Sequence, residues 1–294
     1  MRRVFTYHIK EHEDITVAEL LRGQGFSRHI LTRVRKAEGG ILVNGQRVWL
    51  STRLRIGDVL TVTLTEEASS EHIVPVELPL DIIYEDEDLL VINKAADMPI
   101  HPSIHNYENT LANGLAWYFA ERGEKFVYRC INRLDRDTTG LLIVARHGLS
   151  GAILSEQVKQ RAIHREYLAI AEGEVPQQGV IDAPIARKGD SVIERCVDFA
   201  RGERAVTHYR RIAYKNGYSL VSLRLETGRT HQIRVHMKYL GHPLIGDYLY
   251  HPKLDRIDHQ ALHSYRLEFI HPITQEAMCF TQAPPWDFDE IADA

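Results

Sequence analysis

Residues 129–147, RCINRLDRDTTGLLIVARH, run into five consecutive apolar side chains, Leu141 to Ala145. Such a run reads as a buried core strand. Directly ahead of it stand Arg129, Arg133, Arg136, Asp135, Asp137, two threonines and a glycine. Desolvating carboxylates and guanidiniums at the mouth of a core strand is costly unless they pair. A chain that places them there has a reason beyond packing.

At 294 residues, the usual ~150 per domain suggests about two domains. The three cysteines are far apart and lack C-x-x-C spacing, so they frame neither a disulfide scaffold nor a zinc site. No signal peptide is visible at the start, and no apolar stretch approaches the ~20 residues that cross a bilayer. The expectation is a soluble cytoplasmic protein with no membrane partner. The net charge of −4 is unevenly spread. Residues 1–63 carry eleven Lys/Arg against six Asp/Glu, and residues 64–88 carry nine acids and no Lys or Arg. A basic head thus meets an acidic connector, and the last ten residues hold four more acids.

The head reads as two helices, one with Val17, Leu20 and Leu21, the next with Ile30, Leu31 and Val34 behind a Ser27 cap. Asn44-Gly45 marks a hairpin. Arg28, Arg33, Arg35 and Lys36 crowd the second helix. Residues 64–80, interrupted by Pro75 and Pro79, read as an exposed, extended linker. From residue 81 to 283 strands outnumber helices without regular β-α-β alternation. This predicts an α+β fold on a mixed, largely antiparallel sheet. One helix is expected at residues 110–123 between a Thr110 cap and Gly123, another near 150–162. Residues 284–294 form an acidic tail. With no G-x-G-x-x-G and no P-loop, no cofactor is expected.

A second stretch, LETGRTHQIRVHMKYLGHPLIGD at residues 225–247, reads as a strand end followed by a helix from about Thr230. Ile233, Met237 and Leu240 have helical spacing, and Gly241 and Pro243 end the helix. Arg229, His231, Gln232 and Arg234 cluster at the strand-to-helix turn and in the first helical turn, where the helix dipole disfavours cations. A local rule broken at a polar cluster points to a functional site.

RLD-x-x-TTG and GRTHQIRVH, in this order, resemble the paired signatures of the RluA-type pseudouridine synthases. YEDEDLLVINKAADMPIHPS resembles the first motif of that family, and REYLAIAEG its tyrosine segment. The resemblance covers residues 80–283. The head, with SR, VNG and GD in order, resembles the alpha-L RNA-binding motif over residues 14–63. Together these imply an enzyme that flips a uridine out of structured RNA, breaks its glycosidic bond and rejoins the base through carbon five. Asp135 is implied as the catalytic carboxylate, with Arg234 as its partner and Arg229 as the alternative. Tyr167 would lie over the target ring, and Arg133 would enter the vacated stack. An Asp beside a cation at ~4–6 Å stays ionised more readily, by 1–3 pKa units. Asn132 stands where the family usually has His. It can bond its loop and tolerates positive φ.

The expected partner is ribosomal or transfer RNA, with a monomeric protein and no metal. His101 and His105 have H-x-x-x-H spacing but flank Pro102, which makes a metal pair a poor reading. Asp137 reads as a solvated or turn residue. Two alternatives stay open: a non-catalytic RNA-binding or ribosome-assembly protein, and a base-excising glycosidase.

Overall fold

The computed structural model describes residues 1–10, 15–104, 106–189, 191–251 and 256–293. The chain opens with β1 (Arg2–His8), α1 (Val17–Gly23), α2 (Arg28–Lys36), β2 (Ile41–Val43), β3 (Gln46–Arg47) and β4 (Val59–Thr65). The four strands pair antiparallel in the order β1-β4-β2-β3. Ser27 caps α2, its Oγ accepting from Ile30 N at 3.3 Å. Thr16 and Glu19 close a capping box on α1. Asn44 and Gly45 turn β2 into β3 with φ of 51° and 79°, the left-handed pair that a two-residue hairpin requires. The sequence reading missed β1. Its signal was the alternation around Phe5, which is buried between exposed Val4 and Thr6.

The body continues with β5 (Asp81–Glu85), β6 (Leu89–Lys94), α3 (Leu111–Glu121), β7 (Thr139–Ala145), α4 (Gly148–Lys159) and β8 (His164–Glu172). Next come β9 (Gln178–Asp182), β10 (Ile185–Arg187), β11 (Arg195–Val197), β12 (Val206–Lys215) and β13 (Tyr218–Leu225). The chain closes with α5 (Gln232–Tyr239), β14 (Leu262–Ile270), β15 (Ala277–Thr281) and α6 (Phe288–Asp293). The large sheet runs β5-β6-β7-β14-β8-β13-β12-β9, with β15 on β14, while β10 and β11 form a separate hairpin. Among the described pairings of this sheet, β7 against β14 is parallel and the rest are antiparallel. The fold is the mixed, largely antiparallel α+β arrangement expected.

All seven residues of β7 are buried. Leu142 and Val144 face the core under α3 and α5, and Leu141, Ile143 and Ala145 face the core under α4. A strand covered on both faces has no polar alternation, which explains the apolar run. α4 starts two residues earlier than read, because His147 serves as its cap and accepts from Ser150 N at 3.2 Å.

β7 and β14 meet through Thr139 opposite His263 and Gly140 opposite Ser264. Gly140 has φ of 104°, and a Cβ there would sit 2.4 Å from Ser264 O. Gly140→Ala is therefore expected to cost about 3 kcal/mol. An unchanged urea midpoint would show that the seam tolerates a side chain.

The segment from 66 to 80 has no helix or strand, but it is not free in solvent as its composition suggested. Buried Glu66 accepts from Arg129 at 2.7 and 3.0 Å. Ser70 N bonds Phe126 O, and Val76 N bonds Asn113 O, each at 3.2 Å. Leu78 and Leu80 pack on the core. In an extended chain alternate residues face one side, so half of this strap is applied to the body.

Head and body also share a core. Leu149, Ala152 and Ile153 of α4 pack with the head's Phe5, Phe26 and Ile30. Arg3 donates two hydrogen bonds to Asp88, at 2.8 and 3.0 Å, and His147 Nε2 lies 2.8 Å from the same carboxylate. Burial works to raise the pKa of Asp88, but His147 and Arg3 outweigh it and hold it at about 2. The acidic end is partly ordered as well. Trp286, Phe288 and Ile291 pack on the body, and Lys215 pairs with Asp289 and Asp293. Among the described residues no helix is long and apolar enough to cross a membrane.

Candidate active site

The loop before β7 is held from several sides. Lys94, 1% exposed, donates to Arg136 O at 2.7 Å and to Ala95 O at 2.6 Å. Burial pushes the pKa of this lysine down to about 7. Asn132 Oδ1 accepts from Ile143 N at 2.9 Å, so its side chain extends the β7 ladder. That is the bonding role foreseen for Asn132. Its backbone is not among the positive-φ positions, so tolerance of that conformation is not used. Gln260 donates to Thr138 Oγ1 at 2.8 Å. Asp137 stands in a turn, one of its two readings, but it is buried rather than solvated: the turn directs it inward and the Arg136 guanidinium satisfies it. Asp135, with its side chain 25% exposed, is thereby presented from a rigid loop.

The end of β13 and the first turn of α5 supply the opposite wall. Gln232 organises this corner. Its Oε1 accepts from Thr227 Oγ1 at 2.8 Å and Arg229 N at 3.0 Å, while its Nε2 donates to Val206 O and Thr207 Oγ1 at 3.0 Å. One turn in, buried Arg234 forks. Nε and Nη2 donate to Asp247 at 2.7 and 2.8 Å, and Nη1 donates to Asp135 Oδ2 at 3.1 Å. Burial disfavours this cation, but the bonds and charge of Asp247, with Asp135, more than offset that and raise its pKa. Asp247 is fully buried and also accepts from Leu249 N and Tyr250 N. The cation is thus fixed by one carboxylate and aimed at another.

A cleft of about 590 Å³ opens beside Asp135, within the range typical of small-molecule sites. Tyr167 on β8 lines it with Leu134, Ile233 and Leu262. The Tyr167 ring is 4% exposed, and its hydroxyl bonds to none of the described residues. Arg133 lies exposed at the rim. Lys159, Arg161 and Arg165 also line the cleft.

The structure therefore brings together Asp135, Arg234, Tyr167 and Arg133. Arg229 lines the same cleft but does not pair with Asp135. It forms an ion pair with Glu203 and donates to Arg204 O at 3.2 Å, because the turn points it outward. The head cations Arg28, Arg33, Arg35 and Lys36 are all exposed, and Arg33 also donates to Thr65 O at 3.0 Å. Sequence reading missed Asp247, Lys94, Arg161 and Arg165. Asp247 had a signal, an acid after the Gly-turn that ends the quoted stretch.

His101 packs edge-on against Tyr128, and His105 lies outside the described residues. Ligand atoms of Asp86, Asp88 and His271 gather within 4.8 Å of one another. All three are engaged already: His271 and Tyr84 bond Asp86, and Arg3 and His147 bond Asp88. This cluster reads as a structural network.

Residues 88–239 match the family model described as RNA pseudouridylate synthase. An uncharacterized RNA pseudouridine synthase of Bacillus subtilis, YjbO, is 42% identical over 94% of this chain and 98% of its own length. The chain belongs to the RNA pseudouridine synthase family. It is an isomerase acting on RNA. Ribosomal large subunit pseudouridine synthase D of Zymomonas mobilis is 44% identical to this synthase, over 74% of this chain and 73% of the relative. Among solved structures, human RNA pseudouridylate synthase domain containing 1 superposes with a TM-score of 0.59 at 27% identity, covering 70% of this synthase and 84% of the human chain.

Proposed function

We propose that this synthase converts specific uridines of ribosomal large-subunit RNA to pseudouridine, with Asp135 as the acting carboxylate. In that reaction the N1–C1′ bond breaks, the base turns, and C5 joins C1′. C5 gives up its proton and N1 gains one, so no second substrate is consumed. The arrangement that carries this reading is Asp135, joined to the buried Arg234–Asp247 pair, at the wall of a cleft lined by Tyr167. An acid that must work in a desolvated site needs a fixed cation beside it. Arg234 supplies one that cannot swing away.

Extruding a base costs a few kcal/mol. Stacking on Tyr167 returns ~1–3 kcal/mol, and Arg133 at the rim is placed to occupy the gap left in the RNA stack. Lys159 and Arg165 add positive charge for the flanking phosphates. The name of the Zymomonas mobilis relative supports ribosomal over transfer RNA. The test is to incubate the protein with in-vitro-transcribed large-subunit ribosomal RNA and, separately, with a transfer RNA pool. Pseudouridines are then mapped by carbodiimide adducts that arrest reverse transcription. New stops confined to transfer RNA would overturn the choice of substrate.

The alpha-L-like head is read as an RNA contact. Replacing Arg28, Arg35 and Lys36 together with alanine is expected to weaken RNA binding and flatten its salt dependence. Each lost single-strand phosphate contact lowers the log–log slope by about 0.7. An unchanged slope would remove α2 from the interface.

A further inference from the structure

His231 and Tyr250 stand beside Asp135 without a role in the reading above. His231 is the N-cap of α5, with φ 57° and ψ 20°, a left-handed conformation uncommon outside glycine. An N-cap side chain usually accepts from the first helical turn, but His231 makes no such bond. Its ring bridges two other groups instead. Nδ1 lies 2.8 Å from Tyr250 Oη, and Nε2 lies 3.9 Å from Asp135 Oδ2.

Tyr250 Oη accepts the backbone N–H of Arg195, on β11, at 2.9 Å. Burial raises the Tyr250 pKa to about 12, so the phenol keeps its proton and can donate it to Nδ1. The groups facing the imidazole are Asp135, Arg234, Asp247, Tyr250 and Arg195. Burial lowers the His231 pKa. Asp135 and Asp247 oppose that, while Arg234 and Arg195 reinforce it. The ring is therefore neutral near pH 7. A neutral imidazole that accepts at Nδ1 carries its proton on Nε2, the nitrogen that faces Asp135.

Arg234 holds the same carboxylate oxygen, Oδ2, at 3.1 Å. Oδ1 has no hydrogen-bond partner among the described residues. Hydrogen bonds of a catalytic site are often long before substrate binds, and closing 3.9 Å to a bond needs a shift of only about 1 Å.

We propose that His231 is a positioning residue: Tyr250 locks it as the neutral Nε2–H tautomer, which anchors Asp135 Oδ2 beside Arg234 and leaves Oδ1 to meet the substrate. This rests on Asp135 being the acting carboxylate. With the 3.9 Å gap to Asp135 closed, a hydrogen-bond chain would run from β11 through Tyr250 and His231 to the loop before β7, and one backbone amide of the β10–β11 hairpin would help fix the carboxylate.

The first test needs no RNA. In the full-length protein labelled with nitrogen-15 histidine, the His231 resonances, identified by their loss in His231→Gln, should report an unprotonated Nδ1 and a protonated Nε2 near neutral pH. Tyr250→Phe should shift the ring toward the Nδ1–H form. An Nδ1–H or doubly protonated ring in the wild type would overturn the proposal. The second test measures turnover on in-vitro-transcribed large-subunit ribosomal RNA labelled with tritium at C5 of uridine. His231→Leu is expected to lose about 10–100-fold in kcat with KM within about 3-fold. His231→Gln, which retains an N–H at similar reach, should stay within about 10-fold of the wild type and clearly above the leucine variant. Equal losses in the two variants would reduce His231 to a structural residue. If the wild type itself is inert on this RNA, the substrate reading fails, and the nitrogen-15 spectrum still decides where the proton sits.

Discussion

Asp135→Asn is expected to lower pseudouridine formation by at least about 10³-fold while leaving the fold intact. The substitution keeps the size of the side chain and removes its charge. Arg234 loses the charge of its partner at 3.1 Å, where the amide oxygen of asparagine can still accept, and retains two hydrogen bonds to Asp247. The stability change should thus be within about 1 kcal/mol. Turnover under single-turnover conditions, beside a urea melt of the same preparation, separates the two effects. A variant that keeps a tenth of wild-type turnover would show that the charge at 135 does not carry the reaction.

Arg234→Leu should behave differently, losing both activity and stability. Asp247 is fully buried, and without Arg234 it becomes a desolvated charge with no cation. Breaking such a pair costs about 3–5 kcal/mol. Replacing both residues, Arg234→Leu with Asp247→Leu, removes both charges and should recover most of that loss. Activity should not return, because Asp135 still lacks its cation. A double-mutant cycle in urea is expected to give a coupling energy above about 2 kcal/mol. Strictly additive losses would mean that the two side chains do not depend on one another.

Where a residue's environment is set locally, the sequence could be read. The apolar run 141–145, the Ser27 and Thr110 caps and the Asn44-Gly45 turn all follow from neighbours a few positions away. The pairing of Asp135 with Arg234 spans 99 positions, and it was reached by family resemblance rather than by spacing. Long-range facts without such a motif were out of reach. Nothing local says that β7 lies parallel to β14, that Arg3 reaches Asp88, or that Arg229 turns to Glu203. The strap at 66–80 misled for a related reason. Its proline and acid content signals exposure, yet alternate residues along an extended chain can still face a core. Asp247 was visible in the sequence as an acid after a glycine, but its partner became apparent only with the helix that presents Arg234.

In the proposed reaction a carboxylate at 135 assists the breaking of a glycosidic bond and its rebuilding as a link through carbon. The direct measurement uses ribosomal RNA carrying tritium at C5 of uridine and carbon-14 in the same base. Release of tritium to water with the carbon-14 retained in the RNA is the predicted result, and Asp135→Asn should release none. Carbon-14 appearing as free uracil, or no tritium released from any ribosomal or transfer RNA, would contradict it.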